Sequence, residues 1–314
     1  MADDAQHGGS DERRVVGFVG LGNMGWPMAR NLTQAGMAVV VHDLDADRAA
    51  RFVAEFGGSV ANAPAEFAGV GIVVTMLPDG RAVADAMCEW EGGIAAALAP
   101  GAVVVDMSSS NPLDTRALGP RLAEHGVALL DAPVSGGIRG ADGGTLTIMI
   151  GGDDEPAIDA AQGVLEALGK RIVRTGPLGS GHAMKALNNF CGAAAYATTA
   201  EALAIGQTFG LTGEVMLEVL NTSTGRSFNS ETVFKEEVVA GRYASNFALA
   251  LLAKDVSIAA SLAEASGLET PVCELVSARW REAADALPAG SDHSEAHKAW
   301  WDVVLAADGE RAGI

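Results

Sequence analysis

The sequence predicts an α/β protein: a doubly wound parallel sheet, then a long interdomain helix, then an all-α C-terminal domain. Three observations predict it. Between positions 15 and 175 short apolar runs of strand type alternate with helical segments, the pattern of a parallel sheet whose crossovers are helices. A glycine-rich turn joins the first run to the first helix. Beyond Gly176-Pro177, neither of which continues a strand, only helical segments remain. The chain is therefore read as a polar, mostly acidic lead-in over 1–14, a sheet domain over 15–177 and a helical domain over 178–314. The lead-in lacks the apolar core of a signal peptide and is expected to be disordered.

With 314 residues, 49% apolar and 19% charged, the chain has the length and composition to bury two cores. No apolar run free of Gly, Pro or polar side chains reaches the roughly eighteen residues that span a bilayer. The formal charge of −19 repels phosphate backbones and anionic lipid, so neither nucleic acid nor membrane is an expected partner. An anionic ligand would need its own local cations and backbone amides. Cys88, Cys191 and Cys273 are widely spaced. They fit no metal or redox pattern and read as reduced, buried thiols of a cytoplasmic protein, with no metal site expected.

Positions 15–20 form the first strand-type run, and Gly20-Leu21-Gly22-Asn23-Met24-Gly25 follows at once. A helix over 26–35 stops at Gly36, and a second strand over 38–42 ends at Asp43. In this context the GxGxxG pattern has a mechanism. Its glycines permit a tight turn and let the backbone approach a pyrophosphate, which sits on the helix N-terminus. Asp43, eighteen residues past Gly25, is placed to accept hydrogen bonds from an adenosine ribose. The sheet is thus of Rossmann type and its expected cofactor a dinucleotide. A carboxylate at Asp43 repels a 2′-phosphate and favours NAD over NADP. Leu44, Asp45 and Ala46 offer such a phosphate no partner, although Arg48 is near enough to keep NADP open.

Further strands are read over 71–77 and 102–106, with helical segments at 83–87 and 114–125. The carboxyl ends of such strands face the ligand crevice, which makes Leu77, Pro78 and Ser109 candidate cofactor contacts. Each of these loops equally suits a turn in which Pro and Ser only end a strand and cap a helix. After a strand over 127–130 comes Ser135-Gly136-Gly137. A hydroxyl followed by exposed amides makes a nest for a carboxylate; it also suits a flexible loop. Strands over 146–150 and 171–175, around a helix beginning near Glu155, complete the domain.

Positions 180–209 contain no proline and are rich in Ala, Leu, Met and Glu, so they read as one helix. It would run roughly 45 Å, long enough to belong to two domains. On it Lys185, Asn189, Gly192 and Tyr196 follow i, i+4, i+7 and i+11 and share a stripe that is polar and small where a buried face would be apolar. Lys185 lies in the second turn, near the positive end of the helix dipole. Dipole and desolvation together lower its pKa and let it exchange protons near neutral pH. The alternative is a solvated lysine on an exposed helix. Helices over 214–220, 231–239, 248–266 and 271–286 follow, with Lys254-Asp255 set in an apolar segment and a polar loop over 224–229.

Four ordered motifs carry a resemblance: Gly20 through Ala29, Asp131 through Gly137, Gly181 through Asn189, and Lys254-Asp255. Over about residues 15–286 the chain resembles the β-hydroxyacid dehydrogenase family. The resemblance implies an NAD-dependent oxidoreductase that interconverts a short β-hydroxy acid and its semialdehyde or oxo acid. It implies that Lys185 is the acid/base group, that Asn189 orients the substrate, and that Ser135, Gly136 and Gly137 bind the substrate carboxylate. Lys254, with Asp255 beside it, matches a lysine that lines the cofactor and substrate cleft. The resemblance also implies a homodimer or homotetramer built on the helical domain. The family's closing Gly-Asp-x-Ser-like stretch is matched only loosely by Gly290-Ser-Asp-His293-Ser, which leaves the substrate open. A reductase of small aldehyde acids such as tartronate semialdehyde, an imine reductase and a non-enzymatic dinucleotide-binding scaffold stand as alternatives. Imine reductases similar to this fold tend to lack the lysine, so Lys185 argues for C–O chemistry. Arg139, Arg226, Phe228 and Asn229 join Ser135 and Lys254 as candidate substrate contacts, the arginines suiting surface ion pairs equally well.

Overall fold

A computed structural model describes residues 15–301; the segment 1–14, expected to be disordered, lies outside the described residues. The chain groups into two compact units, one ending at Gly181 and the other beginning at His182.

The first unit is built on β1 (Val15–Val19), β2 (Ala38–His42), β3 (Ser59–Val60), β4 (Ile72–Thr75), β5 (Val103–Asp106), β6 (Ala128–Asp131), β7 (Val134–Ser135), β8 (Leu146–Gly151) and β9 (Gly169–Gly176). They lie in the order β3-β2-β1-β4-β5-β6-β8-β7, with β9 paired to β8. Every pairing from β3 to β6 is parallel. β4 and β5 are buried throughout and valine-rich, as strands covered by helices on both faces must be. Alternation sends neighbouring side chains to opposite cores. Phe18 and Val74 pack with Met28, Leu32 and Leu165 on one face, while Val19 and Val73 pack with Phe67 and Leu118 on the other. β1 pairs with β2 on one side and β4 on the other, so the order reverses there and a crevice opens beyond the strands' carboxyl ends.

The sheet departs from the expected parallel run at β8, which is antiparallel to both β6 and β7. The chain between β6 and β8 holds only β7 and α6 (Gly137–Asp142), too little for a crossover that would return it in parallel. The other helices of this unit are α1 (Gly25–Gln34), α2 (Ala46–Phe56), α3 (Gly80–Ala84), α4 (Ile94–Ala97), α5 (Pro112–Ala123) and α7 (Glu155–Leu168). Side chains set several starts, with Asp45, Asp79, Asn111 and Asp154 each accepting a first-turn backbone N–H. α5 therefore begins at Pro112, two residues before the expected start, because Asn111 caps it and proline is preset for the first helical position.

The second unit is helical: α8 (Ser180–Thr208), α9 (Gly213–Asn221), α10 (Leu249–Ser266), α11 (Pro271–Ala286) and α12 (His297–Trp300). Between α9 and α10 the segment Asn229–Val238 is π-helical where an α-helix was expected. Asn229 Nδ2 donates to the Gly192 carbonyl at 2.8 Å, and Asn221 Nδ2 to the Ser230 carbonyl at 3.1 Å, which ties the widened turn on both sides. The core is aromatic. Tyr196 lies 4.6 Å from Phe234 and 5.3 Å from Trp280 between ring centres, and Trp280 Nε1 donates to the Ala193 carbonyl at 3.2 Å. Of the three thiols expected to be buried, Cys273 is, Cys88 is half-buried and Cys191 is exposed. Cys191 lies two residues from Ala193 on α8, about 200° around the helix from the face that packs. No described helix is long and apolar enough to cross a membrane.

Candidate active site

The glycine-rich loop shows why each glycine is where it is. Gly20 has φ 98°, and a side chain there would collide with the Met76 carbonyl; one on Gly25 would collide with the Gly20 carbonyl. Gly22 is different, since nothing lies within 4 Å of where its Cβ would stand. The first and last glycines thus serve the turn, and the middle one leaves open space of the kind that could admit a pyrophosphate. Leu21 is buried in the core, while Gly22 and Asn23 are exposed and Met24 is half-buried at the start of α1. The Leu21 N–H donates to Asp43 Oδ2 at 2.6 Å and the Asp45 N–H to Asp43 Oδ1 at 2.8 Å. Asp43 is thereby fixed beside the loop. These residues fit the adenosine and pyrophosphate portions of a dinucleotide.

Beyond β4 and β5 a second network forms on a residue that the sequence pattern marked only as a strand end. Asp106, buried, accepts Thr75 Oγ1 at 2.8 Å, the Ser108 N–H at 3.0 Å and Ser110 Oγ at 2.8 Å. Ser108 Oγ in turn accepts the Leu77 N–H at 2.9 Å. Leu77 and Ser109 consequently follow the carboxyl ends of the interior strands β4 and β5, half-buried, with Pro78 exposed beside Leu77. Asp131 does similar work at the end of β6, accepting the Gly179 N–H at 2.7 Å with Gly181 packed against its other oxygen. The loop leading to Ser135 and the start of α8 are therefore joined. Gly136 and Gly137 adopt φ 133° and 59°, conformations that favour glycine, and both are exposed next to half-buried Ser135. A carboxylate closing an otherwise apolar strand, as in Val-Val-Val-Asp106 and Ala-Leu-Leu-Asp131, was the available sign, because a buried charge must be paired.

The second unit brings Lys185, Asn189, Lys254 and Asp255 together. Asn189 Nδ2 donates to Asp255 Oδ2 at 2.7 Å, and Lys254 Nζ lies 3.5 Å from Asp255 Oδ1. Asp255 and Asn189 are buried and Lys185 half-buried. Burial holds the Lys185 ammonium below the ordinary lysine range; the Asp255 carboxylate pulls the other way, and Lys254 lowers it further. Burial raises the Asp255 carboxyl, against Lys254, Lys185 and the Asn189 bond. The Asp255 carboxylate, expected beside the cofactor, contacts Asn189 and Lys254 and acts electrostatically on Lys185.

The expected stripe on α8 splits in two. Lys185 and Asn189 join the polar cluster, whereas Gly192 receives Asn229 and Tyr196 is wholly buried, its hydroxyl donating to the Ser294 carbonyl at 2.7 Å, with His297 Nδ1 3.1 Å away. Asn229 is accordingly a clamp within the fold. Arg226 is exposed and paired with Glu231 at 3.1 Å, Phe228 is exposed, and Arg139 lies exposed on α6. In the loosely matched closing stretch, Asp292 caps a short 3-10 turn, accepting the Ser294 N–H at 3.0 Å and Ser245 Oγ at 2.7 Å.

Residues 15–176 match the family model described as the NAD binding domain of 6-phosphogluconate dehydrogenase, and residues 179–300 the one described as NAD-binding of NADP-dependent 3-hydroxyisobutyrate dehydrogenase. The chain belongs to the β-hydroxyacid dehydrogenase family. Similar proteins include a 2-(hydroxymethyl)glutarate dehydrogenase of Eubacterium barkeri, 37% identical, covering 82% of this chain and 85% of the relative. An NAD-dependent L-serine dehydrogenase of Pseudomonas aeruginosa is 36% identical over 85% of this chain and 91% of its own. Among solved structures, Mycobacterium tuberculosis 3-hydroxyisobutyrate dehydrogenase with L-serine is similar at a TM-score of 0.83 and 30% identity, covering 92% of this chain and 99% of that one. Within this β-hydroxyacid dehydrogenase fold the first unit is an NAD(P)-binding domain.

Proposed function

We propose that the protein is an NAD-dependent dehydrogenase of a short β-hydroxy acid, with Lys185 as the acid/base. Gly20 through Gly25 and Asp43 would hold the pyrophosphate and ribose of the dinucleotide, with Leu77, Pro78, Ser109 and Lys254 beside it. NAD supplies the hydride acceptor when bound. Uncharged Lys185 takes the proton from the substrate hydroxyl at Nζ, and its ammonium form returns one to the carbonyl oxygen in the reverse direction. Asn189, fixed by Asp255, orients the hydroxyl carbon. Ser135, Gly136 and Gly137 offer a hydroxyl and amides to the substrate carboxylate.

The observation that carries this reading is the cluster on Lys185, a half-buried amine held below its ordinary pKa beside a carboxamide fixed at 2.7 Å. The names of the relatives support a substrate class. Serine, 2-(hydroxymethyl)glutarate and 3-hydroxyisobutyrate all carry a hydroxymethyl group on the carbon next to a carboxylate, and a 3-hydroxypropanoate substituted at C2 is the proposed class here. NAD reduction over 3-hydroxyisobutyrate, 3-hydroxypropionate, L-serine, 2-(hydroxymethyl)glutarate and glycerate, repeated with NADP, tests it. Lys185→Ala is expected to lose at least about a hundredfold in kcat while NAD affinity stays the same. Wild-type turnover in that variant would remove Lys185 from the role.

A homodimer or homotetramer through the helical unit belongs to the same proposal. Phe209, Ile205, Val215 and Val219 are exposed apolar side chains of α8, its end and α9, and such patches mark association surfaces. Light scattering of the wild type and of Phe209→Glu reads this directly; a monomeric wild type removes the assembly.

A further inference from the structure

Arg48 stands in the first turn of α2, and its side chain is held by two carboxylates. Nη1 lies 3.3 Å from Asp43 Oδ1 and 3.4 Å from Asp43 Oδ2, and Nη2 lies 3.4 Å from Asp45 Oδ2. The backbone fixes the same three residues. The Arg48 N–H donates to Asp45 Oδ1 at 3.0 Å, while Asp43 takes the N–H groups of Asp45 and Leu21. The side chain of Asp43 is only 9% exposed, that of Arg48 37%. A guanidinium thus rests against the carboxylate assigned to the adenosine ribose, with its fork occupied.

A planar guanidinium binds phosphate oxygens two at a time and is among the strongest partners a phosphate monoester can find. Here it is outnumbered. A 2′-phosphate, carrying close to two negative charges near neutral pH, would meet one cation and two carboxylates and would have to take Arg48 from both. We propose that Arg48 is a specificity-determining residue of the cofactor site, a 2′-phosphate ligand that Asp43 and Asp45 keep engaged so that the unphosphorylated ribose is preferred. Asp43→Asn removes one of the two charges with little change of shape, since the amide oxygen still accepts the Leu21 N–H although the Asp45 N–H loses its acceptor, and leaves Arg48 held by Asp45 alone, so that a phosphate has one carboxylate fewer to displace. The inference rests on the assignment of Asp43 to the ribose.

Calorimetric titration with ADP-ribose and with 2′-phospho-ADP-ribose reads the site without any turnover. Wild type is expected to prefer ADP-ribose. Asp43→Asn is expected to bind the 2′-phosphorylated ligand roughly tenfold or more tightly than wild type does, and Asp43→Asn combined with Arg48→Gln to lose that gain. Asp45→Asn, which retains the helix cap, supplies a second release of Arg48 with a smaller gain should Asp43→Asn fail to fold. A wild-type preference for ADP-ribose together with no gain in the released variants, or with a gain that survives Arg48→Gln, overturns the inference and leaves the ribose assignment intact. Equal wild-type affinity for the two ligands overturns the ribose assignment itself, and the inference with it.

Discussion

Asn189 on α8 donates to Asp255 on α10 across 2.7 Å, and the Asp255 carboxylate that holds this amide also acts on the charge of Lys185. One buried carboxyl group therefore both orients the carboxamide and, against the larger effect of burial, raises the proton affinity of the amine. With Lys185 as the proposed base it must be uncharged in the oxidation direction, so kcat/KM is expected to rise with pH to a plateau above a pKa that burial places below the ordinary 10.5. Asp255 favours the ammonium and Lys254 opposes it. Asp255→Asn is expected to move the midpoint to lower pH, and Lys254→Met to higher pH. pH-rate profiles of the three proteins check the order, and a common midpoint would detach Lys185 from the titration.

Gly22 and Gly25 separate binding from folding. Gly25→Ala places a methyl group into the Gly20 carbonyl and is expected to unmake the loop, lowering both thermal stability and dinucleotide affinity. Gly22→Ala meets nothing within 4 Å in the chain, so the melting temperature is expected to stay near wild type while NADH affinity falls about tenfold or more, because the methyl group would occupy the proposed pyrophosphate approach. Unchanged NADH binding in Gly22→Ala would place the pyrophosphate elsewhere.

Asp106→Ala strips the partner from Thr75 Oγ1, the Ser108 N–H and Ser110 Oγ. Buried donors left unsatisfied cost about 1–3 kcal/mol each, so a loss of at least about 3 kcal/mol is expected in denaturant titration. NADH affinity should fall as well, since Ser108 holds the Leu77 N–H. A loss of stability with full affinity would make the network purely structural.

The second unit is expected to have its own acid sensitivity. Burial lowers the His297 pKa from 6.5 to about 4. A group depressed in the folded state contributes stability above its unfolded pKa, which is lost as pH falls toward the folded value. The window is therefore pH 6.5 down to about 4, where the unfolded chain takes up a proton that the folded chain refuses. His297→Gln is expected to flatten the fall of melting temperature across that window, and an unchanged slope would assign the acid sensitivity to other groups. Tyr196→Phe, which leaves the Ser294 carbonyl without its 2.7 Å donor, is expected to cost about 1–3 kcal/mol at neutral pH.

Much of the architecture was legible because it is local. The Val-rich runs, the glycine turn and the uninterrupted Ala-rich stretch each depend on neighbouring residues, and β2 and α8 appear at or within a residue of their expected bounds. What was not legible depends on partners distant in sequence. Helical spacing put Tyr196 on the same stripe as Lys185, but it could not say that Trp280 and Phe234 would enclose the ring. Nor could it give the direction of β8, which follows from how little chain separates it from β6, or the pairing of Asp106 with Thr75, 31 residues earlier. Within the polar cluster both motifs were visible, yet the bond from Asn189 to Asp255 spans 66 residues and turned the aspartate into a support for the carboxamide.

α8 carries Lys185 and Asn189 near one end and the enclosed ring of Tyr196, with Ala200 and Leu203, further along, in 29 residues without a break. A single residue inserted between Asn189 and Ala193 would wind the upstream groups by about 100° and displace them by about 1.5 Å relative to the aromatic core. The chemistry proposed for one end of the rod is indexed to packing at the other. Divergence of substrate range within such a chain must therefore come from exchanged side chains or remodelled loops, because insertions and deletions inside this rod would disengage the amine from its anchor.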